Sequence, residues 1–188
     1  MKKIALLAAV AAATLATPAL AHTGPYIGVI AGYDRVSVEA GNDTEHKGNV
    51  AYGVIAGYDY HLEDGVVIGI EAELSDSEVS ETVGTAKISA GHDIYGGVRL
   101  GYEVAEGTLI YAKGGLSYAR VKYEVGNVSD SDAQAGYRFG GGVEKQYGGF
   151  GVRLEYRYSN YGDINVAGYE TGINASRHQV VAGVLAKF

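Results

Sequence analysis

The stretch GVRLEYRYSNY, residues 151–161, decides how this chain is read. Val152, Leu154, Tyr156 and Tyr158 alternate with Arg153, Glu155, Arg157 and Ser159. A period of two predicts a strand with one apolar and one charged face. In a soluble sheet the charged face meets water and the apolar face meets a core. In a membrane barrel the apolar face meets lipid and the charges point inward.

The same alternation recurs along the chain. Eight segments carry it: Tyr26–Asp34, Ala51–Tyr60, Val66–Leu74, Asp93–Val104, Thr108–Ala119, Gly136–Lys145, Gly149–Tyr158 and His178–Phe188. Each is close to the ~9–11 residues that a tilted strand needs to cross a bilayer. The connections after the second, fourth and sixth segments are short, at HLEDG, EVAEG and KQYGG. Those after the first, third, fifth and seventh are long and polar, as in residues 35–50 and 75–92. Short and long connections in turn predict an all-β, eight-stranded antiparallel up-and-down transmembrane barrel with two unlike ends. Both termini then lie at the short-turn end. GVIAGYD occurs at 28–34 and again at 53–59, as two strands meeting one structural demand.

The start of the chain sets an expected compartment. Met1-Lys2-Lys3 is followed by an apolar run over residues 4–16 and by Pro18-Ala19-Leu20-Ala21. This pattern predicts a secretory signal peptide over 1–21, cut after Ala21, and a barrel domain over 22–188. Loss of Lys2 and Lys3 leaves 13 basic against 22 acidic residues, which does not suggest a nucleic-acid partner. There is no Cys, so an exported domain must hold together by packing and hydrogen bonds alone. The 29 Gly and 16 Tyr stand against only 2 Pro and no Trp. Scarce Pro suits long ladders, and Tyr suits a membrane–water interface.

Taking each segment's apolar phase outward gives a consistent picture. Ile27, Val29, Ala31 and Tyr33 share a face, as do Val54, Ala56, Tyr58 and Tyr60, and Ile68, Ile70, Ala72 and Leu74. The opposite phase carries Asp59, Glu71, Glu73, Arg99, Lys113, Glu144, Arg153 and Glu155, separated by glycines. A soluble calyx would invert this, with apolar residues around a ligand. An eight-stranded barrel is narrow enough for side chains to fill it. Glycines with a few long charges of both signs suit that space, whereas a wet outer face has no need of so many glycines. Val184, Ala186 and Phe188 continue the outward alternation to the last residue.

The segments VRLGYEV (98–104), IYAKGGLSYA (110–119), GGGVEKQ (140–146), VRLEYRY (152–158) and the terminal Phe188 resemble the OmpA-type transmembrane barrel and the small porin-family, or opacity-type, outer-membrane proteins. The resemblance covers essentially the whole segment expected after the leader. It implies bacterial outer-membrane localisation, with outer-membrane lipid and lipopolysaccharide as partners. It also implies insertion by the barrel-assembly machinery, which reads Val184, Ala186 and Phe188; Ala186 stands where the family commonly has an aromatic. It further implies a lumen charge network, with Glu71, Arg99, Glu144 and Arg153 inward and Lys113 and Glu155 on a second level. Opposite signs must meet there, because an unpaired buried charge is very costly.

The remaining candidates are weaker. His22, His46, His61, His92 and His178 are scattered, and the phase puts His92 and His178 outward but Asp93 inward. That separates the parts of a nucleophile–His–acid site, so no enzyme is expected. Without Cys or paired His there is no zinc site, and no cofactor is expected. Acidic residues crowd the long connections, at Glu39, Asp43, Glu45, Asp76, Glu78, Glu81, Asp130, Asp132, Asp163 and Glu170. They read as solvated surface; the sharper alternative is weak calcium or magnesium binding between loops, or adhesion to a basic partner as an external surface ligand, though no loop has a spaced calcium motif. Asn127 and Asn174 head glycosylation-like triplets that carry little weight in a bacterial chain. The expected function is a structural or surface barrel with a plugged lumen, serving envelope integrity, surface contact or adhesion. The alternative is a narrow, low-conductance porin.

Overall fold

A computed structural model describes the backbone of residues 23–40, 43–77, 80–83, 86–125, 128–166 and 169–188, with side chains placed for 23–35, 48–76, 92–119, 134–161 and 176–188. The expected leader, His22 and Asn127 lie outside the described residues, as do the side chains of His46, Asn174 and every acidic residue named for the long connections except Asp76.

The strands are β1 (Gly24–Ala40), β2 (Asp43–His61), β3 (Val66–Ser77), β4 (Ser80–Val83), β5 (Ala86–Ala105), β6 (Thr108–Val125), β7 (Val128–Tyr147), β8 (Phe150–Val166) and β9 (Tyr169–Lys187). All pairings are antiparallel, in the order β3-β2-β1-β9-β8-β7-β6-β5, and β3 pairing with β5 closes the ring. The short β4 pairs with β5 beyond the end of β3. The wall is therefore an eight-stranded up-and-down barrel, and closure removes the open edges a sheet would otherwise expose.

The strands outrun the apolar segments. Arg35–Ala40 of β1 pairs with Asp43–Gly48 of β2, inside a stretch expected as a polar connection. Ala86–Ala90 of β5 likewise pairs with Val121–Val125 of β6. Ladder hydrogen bonds join backbone to backbone and need no apolar face. Alternating hydrophobicity marks only the part of a strand whose two faces differ in solvent, so the sequence pattern stops before the ladder does.

The opposite end is tight. A 3-10 turn over Glu63–Gly65 joins β2 to β3, with Asp64 at φ 62° and Gly65 at φ 78°. Gly107 (φ 62°) and Gly148 (φ 61°) sit in the two-residue connections after β5 and β7. Glycine takes this left-handed backbone without a Cβ clash. Both ends of the described barrel are held here: the Phe188 N–H donates to Pro25 O (3.0 Å), and the His61 N–H donates to Thr23 Oγ1 (2.8 Å).

The opening stretch settles its own question. Leu154 is 54% exposed and Tyr156 52%, whereas Arg153 is 4%, Glu155 1% and Arg157 1% exposed. Apolar side chains cover the outside and the charges are buried inside. Outward aromatics form two rings. Tyr58, Tyr60, Tyr102, Tyr147 and Phe150 circle the short-turn end, and Tyr33, Tyr52, Tyr118, Tyr137, Phe139 and Tyr156 circle the wall nearer the long hairpins. From Phe150 to Tyr158 is about 26 Å along β8, or about 20 Å along the axis of a barrel whose strands tilt by ~40°. That compares with the ~25 Å apolar band of outer-membrane barrels.

Two details depart from a simple inward–outward rule. β1 and β9 are apolar on both faces, and Tyr26, Ile30, Ile55, Val181 and Leu185 pack as an interior cluster. Ala186 is only 9% exposed, although Val184, on the same face, is 51% exposed. Its register partners are Ile27 and Phe150, and a single methyl between two larger side chains is shaded by them. Phe188 is half-buried and lies just past the end of β9.

Candidate functional site

The lumen holds one continuous chain of ion pairs. Near the short-turn end Lys187 pairs with Glu144 and lies 3.4 Å from Asp59 Oδ2. Arg99 reaches Asp59 Oδ1 through Nε (3.0 Å) and Glu144 Oε2 through Nη1 (3.2 Å). Arg153 bridges Glu144 Oε2 (3.1 Å) and Glu71 Oε2 (2.6 Å). Lys113 Nζ sits 2.7 Å from Glu71 Oε1 and 2.7 Å from Glu155 Oε1. Glu71, Arg99, Lys113, Glu144, Arg153 and Glu155, the six residues expected in the network, lie in one cluster rather than on two levels, and Asp59 and Lys187 join it.

The chain then continues through residues outside the six expected for the network. Arg157 pairs with Glu155 and, at 2.8 Å, with Glu73 Oε1. Arg138 joins Glu73 Oε1 (3.1 Å) to Asp93 Oδ2 (2.6 Å). Arg177 joins Asp93 Oδ2 (3.1 Å) to Asp34. Seven cations thus meet seven carboxylates, and every carboxylate except Asp34 touches at least two cations. The signal was present: Arg138, Arg157, Arg177 and Lys187 lie on the inward phase of their own strands.

Phenols and a hydroxyl complete the carboxylates. Tyr26 donates to Glu71 Oε2 (2.7 Å), Tyr111 to Glu155 Oε2 (2.6 Å) and Tyr161 to Asp93 Oδ2 (2.8 Å). Ser117 donates to Asp93 Oδ1 at 2.5 Å. The guanidinium of Arg99 lies 4.6 Å from the centre of the Tyr111 ring, and Lys113 Nζ lies 5.0 Å from that of Tyr95. Each is within range of a cation–π attraction. Burying an ion costs several kcal/mol, and only such multiple, well-aimed partners offset it.

The glycines explain how so many long side chains fit. Arg99 faces Gly69 across the ladder, Arg138 faces Gly115, Arg153 faces Gly183, and Lys113 and Arg157 face Gly140 from either side. A Cβ on Gly69 would lie 2.5 Å from Asp59 Oδ1, and one on Gly115 would lie 2.2 Å from Gly96 O. Each of these five cations therefore lies beside a neighbour that has no side chain.

Comparison with known proteins follows from this geometry. A model of the outer membrane protein beta-barrel domain matches residues 4–188. The chain belongs to that family. Among its relatives is the 31 kDa outer-membrane immunogenic protein of Brucella melitensis, 29% identical over 201 residues that cover 88% of this chain and 83% of the relative. The protein of the same name from Brucella suis matches equally. The crystal structure of Neisserial surface protein A (NspA) superposes with a TM-score of 0.59 at 16% identity, covering 86% of this chain and 97% of that one. Ail, the attachment invasion locus protein of Yersinia pestis, solved with the heparin analogue sucrose octasulfate, superposes with a TM-score of 0.55 at 12% identity, covering 86% and 99%. At such identities the likeness is one of fold. The protein is an outer-membrane β-barrel, and by the rule for this architecture its short turns face the periplasm and its long hairpins the exterior.

His92 and His178 lie on the outer side of the wall. His92 is exposed and 3.3 Å from Asp76 Oδ2, while its neighbour Asp93 is buried in the lumen. His178 Nδ1 shares a 2.7 Å hydrogen bond with the Tyr156 hydroxyl on the outer face. Nothing brings His92, His178 and Asp93 to one side of the wall.

Proposed function

We propose that this chain is a structural and surface barrel whose lumen is plugged by its charge network, with the long hairpins as its contact surface. One observation supports the plug above all: the ion pairs run without a break from Lys187 to Asp34 and are balanced in sign. An ion passing through must separate pairs that hold one another from both sides. The network's neutrality leaves the chain's acidic excess to the turns and hairpins.

The partner reading rests on charge. The hairpin ends carry Arg35, Lys47, Lys87, Arg120 and Lys122 against a clear majority of acidic residues. Ail was solved with a polyanion bound; the acidic excess here favours cationic surfaces or cation-bridged lipopolysaccharide instead. We further propose that residues 1–21 are removed on export and that β9, ending at Val184, Ala186 and Phe188, is read by the barrel-assembly machinery.

A low-conductance porin is the second reading. Ser75 Oγ, Glu73 Oε2, Tyr95 OH, Arg157 Nη2 and Gln179 Oε1 are buried without a protein hydrogen-bond partner. Such groups call for internal water. Single-channel recording on refolded protein separates the two. The plug predicts a silent bilayer for the wild type and current after Arg153→Ala. Stable conductance steps from the wild type would favour the porin. No current from either protein, together with unchanged stability of the variant, would refute the network's role.

A further inference from the structure

A basic and aromatic row crosses the outer face where the wall meets the exterior hairpins. Gly48 on β2 pairs with Arg35 on β1, Arg35 pairs with His178 on β9, and His178 pairs with Tyr158 on β8. All four positions are on the outward phase, and the Arg35 side chain is exposed. The row lies next to the outer aromatic ring, one outward step beyond Tyr33 and Tyr156.

The row is assembled rather than merely adjacent. A Cβ on Gly48 would lie 1.8 Å from the Tyr33 hydroxyl and 2.4 Å from Cζ, so the Tyr33 ring lies across Gly48 and carries its hydroxyl up to the level of Arg35. The Tyr156 hydroxyl holds His178 Nδ1 at 2.7 Å, and the Tyr158 ring sits with its centre 5.0 Å from that of His178. When Tyr156 donates to Nδ1, the proton of the neutral imidazole is on Nε2, which is then a donor. Arg35 forms no ion pair among the described residues, unlike the arginines of the lumen. Three donor groups, Tyr33, Arg35 and His178, therefore share a patch of outer wall at headgroup depth.

We propose that this row binds a phosphate on the headgroup of an outer-leaflet glycolipid, the phosphorylated glucosamine unit of lipopolysaccharide. Charge complementarity selects the occupant. The exposed guanidinium and the flanking donors match a phosphate's several acceptor oxygens. Position selects the source, because a row on the outer wall beside the aromatic ring faces lipid and not the lumen. The inference rests on the outer-membrane orientation given above and deepens the lipid-partner part of that reading.

The test uses the refolded full barrel in phosphatidylcholine nanodiscs, with diphosphoryl lipid A or its dephosphorylated form as probe and binding read by native mass spectrometry. The wild type is expected to retain the diphosphoryl form about tenfold better, the worth of one charge-assisted hydrogen bond. Arg35→Gln should abolish that preference, Arg35→Lys should keep part of it, and Gly48→Val should weaken it by pushing Tyr33 aside. Excess inorganic phosphate should not compete; if it did, the site would be one for free anions and the lipid assignment would fall. Equal retention of both forms by the wild type, or an unchanged preference in Arg35→Gln, overturns the proposal. A folded barrel shifts on a gel when boiled, so loss of that shift in the wild type would instead sink the membrane reading.

Discussion

Arg153 is the position at which the lumen network can be broken most cleanly. Its guanidinium touches Glu71 at 2.6 Å and Glu144 at 3.1 Å, and it stands 3.8 Å from Glu155. Replacing it with Met keeps much of the volume against Tyr26 and Tyr111 while removing the charge. Breaking a buried pair costs about 3–5 kcal/mol. Here the lower end applies, because Glu71 keeps Lys113 and Glu144 keeps Arg99 and Lys187. A loss of about 3 kcal/mol, at a urea slope of about 2 kcal/mol per M, moves the unfolding midpoint down by about 1.5 M. The assay is the folded fraction on unboiled gels after equilibration with urea and lipid vesicles. Glu71→Gln alone should also destabilise, since it strips Arg153 and Lys113 of a shared negative charge. The double variant restores the balance of sign, so its loss should fall short of the sum by at least about 1 kcal/mol. Additive losses, or a midpoint unmoved by Arg153→Met, would refute the claim that these charges act as a network.

The other expectations follow from the packing. Gly115→Ala should cost about 1–3 kcal/mol in the same titration, because its Cβ meets the Gly96 carbonyl oxygen at 2.2 Å, while Gly96→Ala, which meets nothing within 4 Å, should be near neutral. Leu154→Arg should cost about 2–4 kcal/mol in vesicles, since Leu154 lies on the outer face midway between the aromatic rings. A small effect would place that face in water. Asp64→Val should cost about 1–2 kcal/mol at a backbone of φ 62°, and Asp64→Gly should not destabilise; circular-dichroism melts of the refolded barrel would read both. Deleting Phe188, whose N–H donates to Pro25 O, should slow assembly into native outer membranes more than it slows spontaneous refolding into vesicles.

Much of this was legible in the residues. The alternation at 151–161 named the buried side of β8 correctly, and Glu71, Arg99, Lys113, Glu144, Arg153 and Glu155 all lie inside. Hydrophobicity alone does not tell the two faces apart where both are apolar. In β1 and β9, Ile30, Val181 and Leu185 are interior, yet they look no different from the outward Ile27, Val29 and Val184. It also stopped short at strand ends, so Arg177 and Asp34 were missed although they close the network on the exterior side. The Arg35 row escaped for a different reason: it joins β2, β1, β9 and β8, and the first and last of these are far apart in the chain.

The sequence by itself determined a local property, the parity of each strand and the positions of its turns. Side-chain direction alternates with period two whatever the partner strand, so the inward set can be read from one segment at a time. Only the tertiary structure decided who pairs with whom. Arg153 meets Glu71 from 82 residues away and Arg177 meets Asp34 from 143 away, because closing the ring brings strands face to face across the lumen in a fixed register. That register also places a glycine opposite Arg99, Lys113, Arg138, Arg153 and Arg157, which turns a row of charges into a filled interior.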